Sequence, residues 1–297
     1  MRFSIKHLSL AIFGLASAES ICDKYTTALL KENNATNQLK LITLVVNTAV
    51  IGNYTKPNVG IKVPGILAAA KYNNTDVNLA QYFSGALEST NNGSKSGVSV
   101  NFLDDGGATP LQLNKPANGT SSNQYKLLTH LYEFFGAVLN CSQYGKSGFS
   151  SYSGDTSMYE VHKFMALDAF EVGYFIQQVG MSAASFGVSD SDAATVGNTL
   201  NAVFGHKCAA AAAVLPSAKE ELQAICIADD CPVATNASCK SYDPVVKPTN
   251  TTANGTSTTS ASAAGATSTS NGVQLTSHLG LVIALLCIAM VGIPPFG

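Results

Sequence analysis

Apolar residues recur at helical spacing over several stretches of the chain, and these stretches predict its main elements. Residues 21–31 predict a short first helix, and residues 37–51 predict a second one. Residues 124–139 carry two apolar stripes, one of Leu127, Leu131, Phe134 and Val138 and another of Tyr125, Leu128, Tyr132, Phe135 and Leu139. A helix that is apolar on both sides is buried between layers, so we expect this one inside the fold.

Further helices follow, each with a recognisable start. Ser157 and Glu160 have the spacing of a capping box, in which each side chain satisfies a free backbone N–H of the other's turn. The short helix that they begin has one face made of Met158, Val161, His162 and Met165. Asp168 caps a long helix that Gly187 ends, and Ser189 with Asp190 caps the last main helix.

The stretches between the helices differ in composition. Residues 53–123 are rich in Gly, Asn and Pro, and a structureless stretch of this length is uncommon inside a domain. We therefore expect short strands or turns there, with 98–102 as one candidate strand and 79–83 as the best-anchored piece. Residues 209–242 form a cysteine-bearing tail that we expect to fold back onto the body. Together these patterns predict a mainly α domain over 19–242 that is large enough to bury a core.

Both ends of the chain carry processing signals. Residues 1–18 combine a basic start, an apolar core and a small-residue cleavage site, which predicts a secretory signal peptide. Residues 279–291 are apolar but short for a membrane span, and they follow a polar spacer and a small-residue site. This order predicts a GPI-attachment propeptide over 273–297, with Ser270 or Asn271 as the anchor site and the membrane as a partner. A degenerate tail anchor is the alternative. Residues 243–272, rich in Ser and Thr, predict a glycosylated stalk.

Cysteines, sequons and charge agree with an extracellular location. Six of the seven cysteines lie in the predicted domain, which predicts disulfides of open connectivity, and Cys141 with Cys208 is one candidate pair. The net charge of −2 gives no electrostatic footprint for nucleic acid. Acceptor sites for N-linked glycans, which are usable only at the surface, occur at Asn34, Asn53, Asn73, Asn92, Asn118, Asn140, Asn236, Asn250 and Asn254. We therefore expect the protein at the outer face of the plasma membrane or in the cell wall.

The candidate chemistry lies with two histidines. The chain has no nucleophile elbow, phosphate-binding loop or paired-cysteine metal motif, so the sequence does not predict a hydrolase. His130 and His162 occupy consecutive buried helices among apolar side chains that include Met158 and Met165. Such a pair would suit a flat apolar cofactor with a metal centre, and a histidine hydrogen-bonded within the core is the alternative. His206, next to Lys207, suits the end of a helix instead.

Three segments of the chain resemble the second half of a truncated, two-over-two globin. They are 125–139 (YKLLTHLYEFFGAVL), the approach Tyr152-x-Gly154-x-x-x-Met158-x-x-x-His162, and the stretch from Phe170 to a Gly-Val break at 187–188. Residues 79–85 (LAQYFSG) resemble the loop with which that family places a phenylalanine against haem. The resemblance implies a globin-like helical core with a long inserted region, 84–123, and a disulfide-bearing C-terminal tail.

The resemblance also implies haem as the cofactor and assigns roles to individual residues. His162 would be the proximal iron ligand, and His130 lies where some members have a sixth ligand. The haem contacts would come from Phe83 on the porphyrin, Leu127 and Leu131 on the distal face, and Phe134 and Phe135 on the inner wall. Val50 stands near the position where the family often has a tyrosine that hydrogen-bonds dioxygen.

Two functions from different classes follow. The first is a cell-surface haem protein with a redox, gas-ligand or haem-handling role. The alternative is a non-catalytic, GPI-anchored surface or wall protein that keeps the helical scaffold but has lost haem. The inserted region could cover or close the pocket in either case.

Overall fold

The computed structural model describes residues 19–251, except 57 and 217. The predicted signal peptide, the anchor site, the propeptide and most of the predicted stalk lie outside the described residues. Within the described part, no helix is long and apolar enough to cross a membrane.

Helices dominate the described chain, which confirms the mainly α prediction. They are α1 (Ile21–Leu30), α2 (Ala35–Ile51), α3 (Ala80–Phe83), α4 (Ala108–Gln112), α5 (Asn123–Val138), α6 (Met158–His162), α7 (Ala169–Ser185) and α8 (Asp190–Phe204), with a 3₁₀ turn at Cys239–Ser241. The strands are β1 (Ala70–Tyr72), β2 (Thr75–Val77), β3 (Ser84–Thr90) and β4 (Val98–Asn101). The candidate strand near 98–102 is confirmed as β4.

Side-chain caps determine where the main helices begin. The backbone N–H three residues into the helix donates to each of Ser20, Asn34, Ser122 and Ser189, a contact worth about 1 kcal/mol. Asp168 and Glu171 form a complete capping box at the start of α7. At α6 only half of the predicted box forms. Ser157 Oγ accepts from the Glu160 N–H at 3.2 Å, but the Glu160 carboxylate pairs with Lys163 Nζ at 2.8 Å.

Helix α2 forms the middle of the helical core. It packs against α1, α5 and α7, and α7 packs in turn against α8. Tyr132 Oη donates to Asn47 Oδ1 at 2.6 Å, and Asn47 Nδ2 donates to the Leu111 carbonyl oxygen at 3.0 Å. Ser182 Oγ donates to the Val45 carbonyl oxygen at 2.6 Å. These buried bonds fix α4, α5 and α7 against α2, because a buried polar group that loses its partner costs about 1–3 kcal/mol.

Two strands precede the inserted region 84–123, and two lie within it. β1 and β2 form an antiparallel hairpin whose turn residues, Asn73 and Asn74, have φ values of 49° and 65°. Asparagine tolerates this left-handed region better than most residues, which explains the tight turn. β3 and β4 also pair antiparallel, with irregular register. Because α3 runs directly into β3, the inserted sheet is attached to the core beside Phe83.

The folded unit extends beyond the predicted boundary at residue 242. The Glu88 N–H donates to the Thr249 carbonyl oxygen at 2.8 Å, and the Thr251 N–H donates to the Ala86 carbonyl oxygen at 3.0 Å. Residues 249–251 therefore lie antiparallel beside β3, opposite to β4. The first part of the predicted stalk therefore hydrogen-bonds to the domain, at Asp243 and at 249–251.

Disulfides join all six cysteines of the domain, as predicted. The pairs are Cys22–Cys141, Cys208–Cys239 and Cys226–Cys231, so the candidate pairing of Cys141 with Cys208 is wrong. The reason is the path of the tail, which returns to the end of α8. There the Ser238 N–H donates to the Cys208 carbonyl oxygen at 2.7 Å, which brings Cys239 to Cys208. Cys22 in α1 lies beside the end of α5, with its Cα 5.0 Å from that of Cys141.

The acceptor asparagines lie at the surface throughout the described part of the chain. The exposed residues are Asn34, Asn53, Asn73, Asn92, Asn118, Asn140, Asn236 and Asn250. Asn254 lies outside the described residues.

Candidate functional site

An apolar cavity of about 380 Å³ lies within the helical core. This volume falls in the range of small-molecule and cofactor sites, roughly 300–1,000 Å³. Its lining includes all nine residues for which the sequence predicted a haem-site role, namely Phe83, Leu127, His130, Leu131, Phe134, Phe135, Met158, His162 and Met165. The fold thus brings these side chains to one space, and their roles toward a cofactor stay a prediction.

His162 is the last residue of α6, and its ring folds back onto its own helical turn. Nδ1 lies 2.8 Å from the Met158 carbonyl oxygen. A carbonyl can only accept, so Nδ1 carries the hydrogen and the neutral ring has its lone pair on Nε2. Burial lowers the pKa of the imidazole, against the smaller opposing effect of the Met158 bond. Among the described residues Nε2 has no hydrogen-bond partner, so this nitrogen is available to a ligand.

His130 brings a second imidazole to the same cavity from α5. Its ring packs edge-on against Tyr152, with 5.3 Å between the centroids. Burial lowers the pKa of His130, and the nearby charge of Lys126 lowers it further. Burial therefore favours the neutral form of both cavity histidines. His206 is not part of the cavity lining, and its Nδ1 lies 3.1 Å from the Asn201 carbonyl oxygen at the end of α8.

Aromatic rings form a continuous wall around the α5 side of the cavity. The Phe134 ring lies 6.1 Å from Phe135, 5.7 Å from Tyr152 and 6.3 Å from Phe204, measured between centroids. The contacts with Phe135 and Tyr152 are edge-to-face, an arrangement that adds about 0.5–1.5 kcal/mol per pair beyond the area buried, whereas the Phe204 ring is tilted by 40°. The wall is thus a contiguous aromatic surface.

The α2 side of the cavity is formed by aliphatic side chains. The α2 residues in the lining are Leu41, Ile42, Val45, Val46, Ala49 and Val50. Val50, at the position where the resemblance places a polar tyrosine, contacts the cavity and offers no donor. Any hydrogen bond to a ligand must therefore come from another wall.

The inserted region supplies another wall, next to α6. Ser89, Thr90, Asn91 and Phe102 line the cavity. Asn91 Nδ2 donates to the Glu160 carbonyl oxygen at 2.8 Å, which ties the end of β3 to the helix that carries His162. The insertion therefore contributes one wall of the cavity.

One pair of polar cavity residues was not predicted from the sequence. Tyr82 Oη donates to Glu171 Oε1 at 2.9 Å, and both residues line the cavity. The capping-box spacing of Asp168 and Glu171 was a usable local signal for the position of the glutamate. Its contact with Tyr82 spans 89 residues, so no local pattern could have indicated it.

No protein-family model matches the chain, and neither a curated protein nor a solved structure matches it. Within the described residues, no group of three or more His, Cys, Asp or Glu side chains is arranged to hold a metal ion.

Proposed function

We propose that this protein is a cell-surface haem-binding protein of globin-like fold, with His162 as an iron ligand. The observation that carries the proposal is the state of the His162 ring. Its Nδ1–H is committed to the Met158 carbonyl at 2.8 Å, while Nε2 is unpartnered in the described structure and the ring lines an apolar cavity. Metal-bound histidines commonly donate their other ring N–H to a carbonyl, which fixes tautomer and orientation.

The rest of the cavity is compatible with a haem group. Haem needs a neutral imidazole and a dry, apolar surround, and the aliphatic α2 wall with the Phe134–Phe135 side meets that need. The packing of α2 with α5 and of α7 with α8 agrees with two helix pairs of a globin-like core. Haem, when bound, supplies an iron centre that exchanges electrons or binds small diatomic molecules.

His130 favours one use of the iron over the others. It lines the same cavity as His162, and its lowered pKa favours the neutral ring that an iron ligand requires. If both His162 and His130 held the iron, electron transfer would be favoured over reversible gas storage. We therefore place a redox role ahead of gas-ligand chemistry and haem handling.

The cell-surface part of the proposal rests on the disulfides and the sequons. Structural disulfides persist in oxidising, extracellular compartments, and the described acceptor asparagines are exposed. Release of the protein from intact cells by a phosphatidylinositol-specific phospholipase tests the GPI anchor. A protein that stays on the cells after that treatment would contradict the anchor.

The absorption spectrum of the full chain expressed with haem tests the proposed function. We expect a Soret band in the wild type and its loss in His162→Ala. The matched control is His206→Ala, because His206 does not line the cavity, and it should keep the band. Low-spin features that disappear in His130→Ala would identify the second ligand. No haem uptake by the wild type, or an unchanged band in His162→Ala, would contradict the proposal and favour a surface protein without haem.

A further inference from the structure

Tyr82 and Glu171 form a side-chain hydrogen bond in the wall of the cavity. Tyr82 is 8% exposed and reaches the cavity from α3, next to Phe83. Its hydroxyl donates to Glu171 Oε1 at 2.9 Å. The other carboxylate oxygen, Oε2, accepts the backbone N–H of Asp168 at 3.1 Å as part of the capping box. The glutamate is therefore held from both sides.

This arrangement determines where a proton can go. A backbone N–H can only donate, so Oε2 must remain an acceptor whatever the charge of Glu171. A proton taken from water therefore belongs on Oε1, the oxygen that faces Tyr82. Once there, it forms an O–H that donates to Tyr82 Oη, and the direction of the hydrogen bond reverses. The single hydrogen of the tyrosine hydroxyl is then released from Glu171.

We propose that Tyr82 and Glu171 form a proton-controlled hydrogen-bond donor of the cavity. With Glu171 ionised, the Tyr82 hydrogen is held by the carboxylate and is withheld from the cavity. With Glu171 protonated, Tyr82 donates to a ligand atom that carries partial negative charge. The ligand class is a small diatomic molecule that would take the place of His130 at haem, so this inference rests on the proposed haem function. Tyr82 touches the ligand, and Glu171 is the positioning residue.

The surroundings of Glu171 favour its protonation. Burial is the largest influence that raises the pKa of its carboxyl, and the hydrogen bonds from Asp168 and Tyr82 oppose it. The charged and titratable groups that act on it are Tyr82 from α3, Asp168 at the start of its own helix and Asp230 from the C-terminal tail. The two aspartates are both negative and also raise the pKa of Glu171.

The pair also supplies a hydrogen-bond donor, which the α2 wall lacks. A hydrogen-bond donor near a haem ligand decides between binding, activation and electron transfer. The α2 wall is aliphatic, so Tyr82 would provide this donor and make ligand affinity depend on pH. Ser89 is the competing candidate, because its side chain is buried, lines the cavity and has no partner in the described structure.

Carbon monoxide is the probe, and the infrared C–O stretch of the haem-loaded full chain is the readout. A donor near the CO oxygen shifts this band to lower wavenumber. We expect the wild-type band to move to lower wavenumber as the pH falls, and the Tyr82→Phe band to stay high at every pH. Glu171→Gln should hold the band low at every pH. Its amide oxygen can keep the Asp168 bond while its NH₂ donates to Tyr82, as a protonated carboxyl would.

Two further variants serve as controls for these shifts. Tyr25 also lines the cavity and donates to a carboxylate, Asp192 Oδ2, at 2.6 Å, so Tyr25→Phe should keep the wild-type pH response. A band in Tyr82→Phe that still follows pH would overturn the inference, and loss of the response in Ser89→Ala alone would assign the donor to Ser89. Both outcomes leave haem binding intact. A wild type without a Soret band would instead overturn the proposed function together with this inference.

Discussion

His162 combines a polar ring with a half-buried position among apolar side chains, and its hydrogen bond to Met158 determines which neutral form is stable. The Met158 carbonyl satisfies Nδ1, so the neutral ring avoids the cost of an unpaired donor. The protonated ring would place a charge in the cavity wall, which is why burial lowers the pKa. The same geometry that suits a metal ligand thus makes the haem-free protein sensitive to acid.

We predict that the haem-free protein loses stability as the pH falls below the usual histidine pKa, about 6.5. The folded pKa values of His162 and His130 lie below their unfolded values, so the unfolded state binds these protons first. Their stabilisation is therefore complete above about pH 6.5 and is lost as the pH falls through the folded values. Urea unfolding followed by circular dichroism should show that His162→Gln loses less free energy of unfolding than the wild type as the pH falls.

Buried carboxyl groups change the stability with pH in the opposite direction to the two histidines. The contribution of a histidine is therefore measured as the difference between its variant and the wild type. The raised pKa values of Glu133 and Glu171 make the folded state take up protons first, which adds stability as the pH falls. Glutamine at 162 can still donate an N–H to the Met158 carbonyl, so the substitution removes the titration and keeps the bond. If His162→Gln and the wild type lost the same free energy of unfolding as the pH fell, the prediction would be contradicted.

At the scale of single residues, the sequence predicted the apolar residues that line the cavity better than the polar contacts in its wall. Leu127, Leu131 and Phe134 recur at helical spacing, so a local pattern places them on one face. Glu171 meets Tyr82 only through the packing of α3 against the start of α7, which no spacing encodes. Gly136 is a similar case. The Phe149 ring leaves no room for a Cβ there, and both residues lie in segments that look ordinary in sequence.

Among the elements, β3 connects the cavity to the rest of the inserted sheet. Its far end, Ser89 and Thr90, lines the cavity, while residues 249–251 pair along one edge. The same segment that leads toward the predicted stalk therefore stabilises a wall of the candidate site. A domain ended at residue 246 would lack this edge.

We predict that Thr251→Pro loosens β3 and that Asn250→Pro does not. Proline at 251 removes the N–H that donates to the Ala86 carbonyl oxygen at 3.0 Å, whereas no bond from the Asn250 N–H is present in the described structure. Loss of this ladder bond should cost about 1 kcal/mol. Hydrogen exchange at the Glu88 amide, which donates to Thr249, should become faster in Thr251→Pro alone.

Each of the two proline substitutions also destroys the acceptor site for an N-linked glycan at Asn250, so the two variants are matched in this respect. Any shared change therefore reports the missing glycan, and the difference between them reports the hydrogen bond. Equal exchange rates in the two variants would show that 249–251 does not hold β3.

The elements themselves divide into predictable and unpredictable ones for a physical reason. α2, α5 and α7 were predicted because apolar spacing and caps are local signals. The pairing of 249–251 with β3 joins residues more than 160 positions apart, and the stretch after 242 is too polar to suggest a strand. The haem role, in turn, came from the resemblance and not from the pattern, so it stays a proposal.

For the whole molecule, the disulfides close loops of very different length at sites of similar burial. Cys22 and Cys141 are separated by 119 residues and tie α1 to the end of α5, whereas Cys226 and Cys231 are separated by only 5. All four side chains are nearly inaccessible, so replacing either pair with alanine leaves comparable small voids. The two pairs therefore differ mainly in how far each restricts the unfolded chain.

We predict that removing Cys22–Cys141 destabilises the protein more than removing Cys226–Cys231. In the chain-entropy description, closing the longer loop contributes about 5 kcal/mol and the shorter about 2 kcal/mol. Urea unfolding of the two double alanine variants measures the difference. Equal losses would mean that the unfolded chain is already compact around α1 and α5. Because Cys22 also lines the cavity, haem uptake should be impaired only in the variant without Cys22–Cys141, through a loosened α1 rather than a lost ligand.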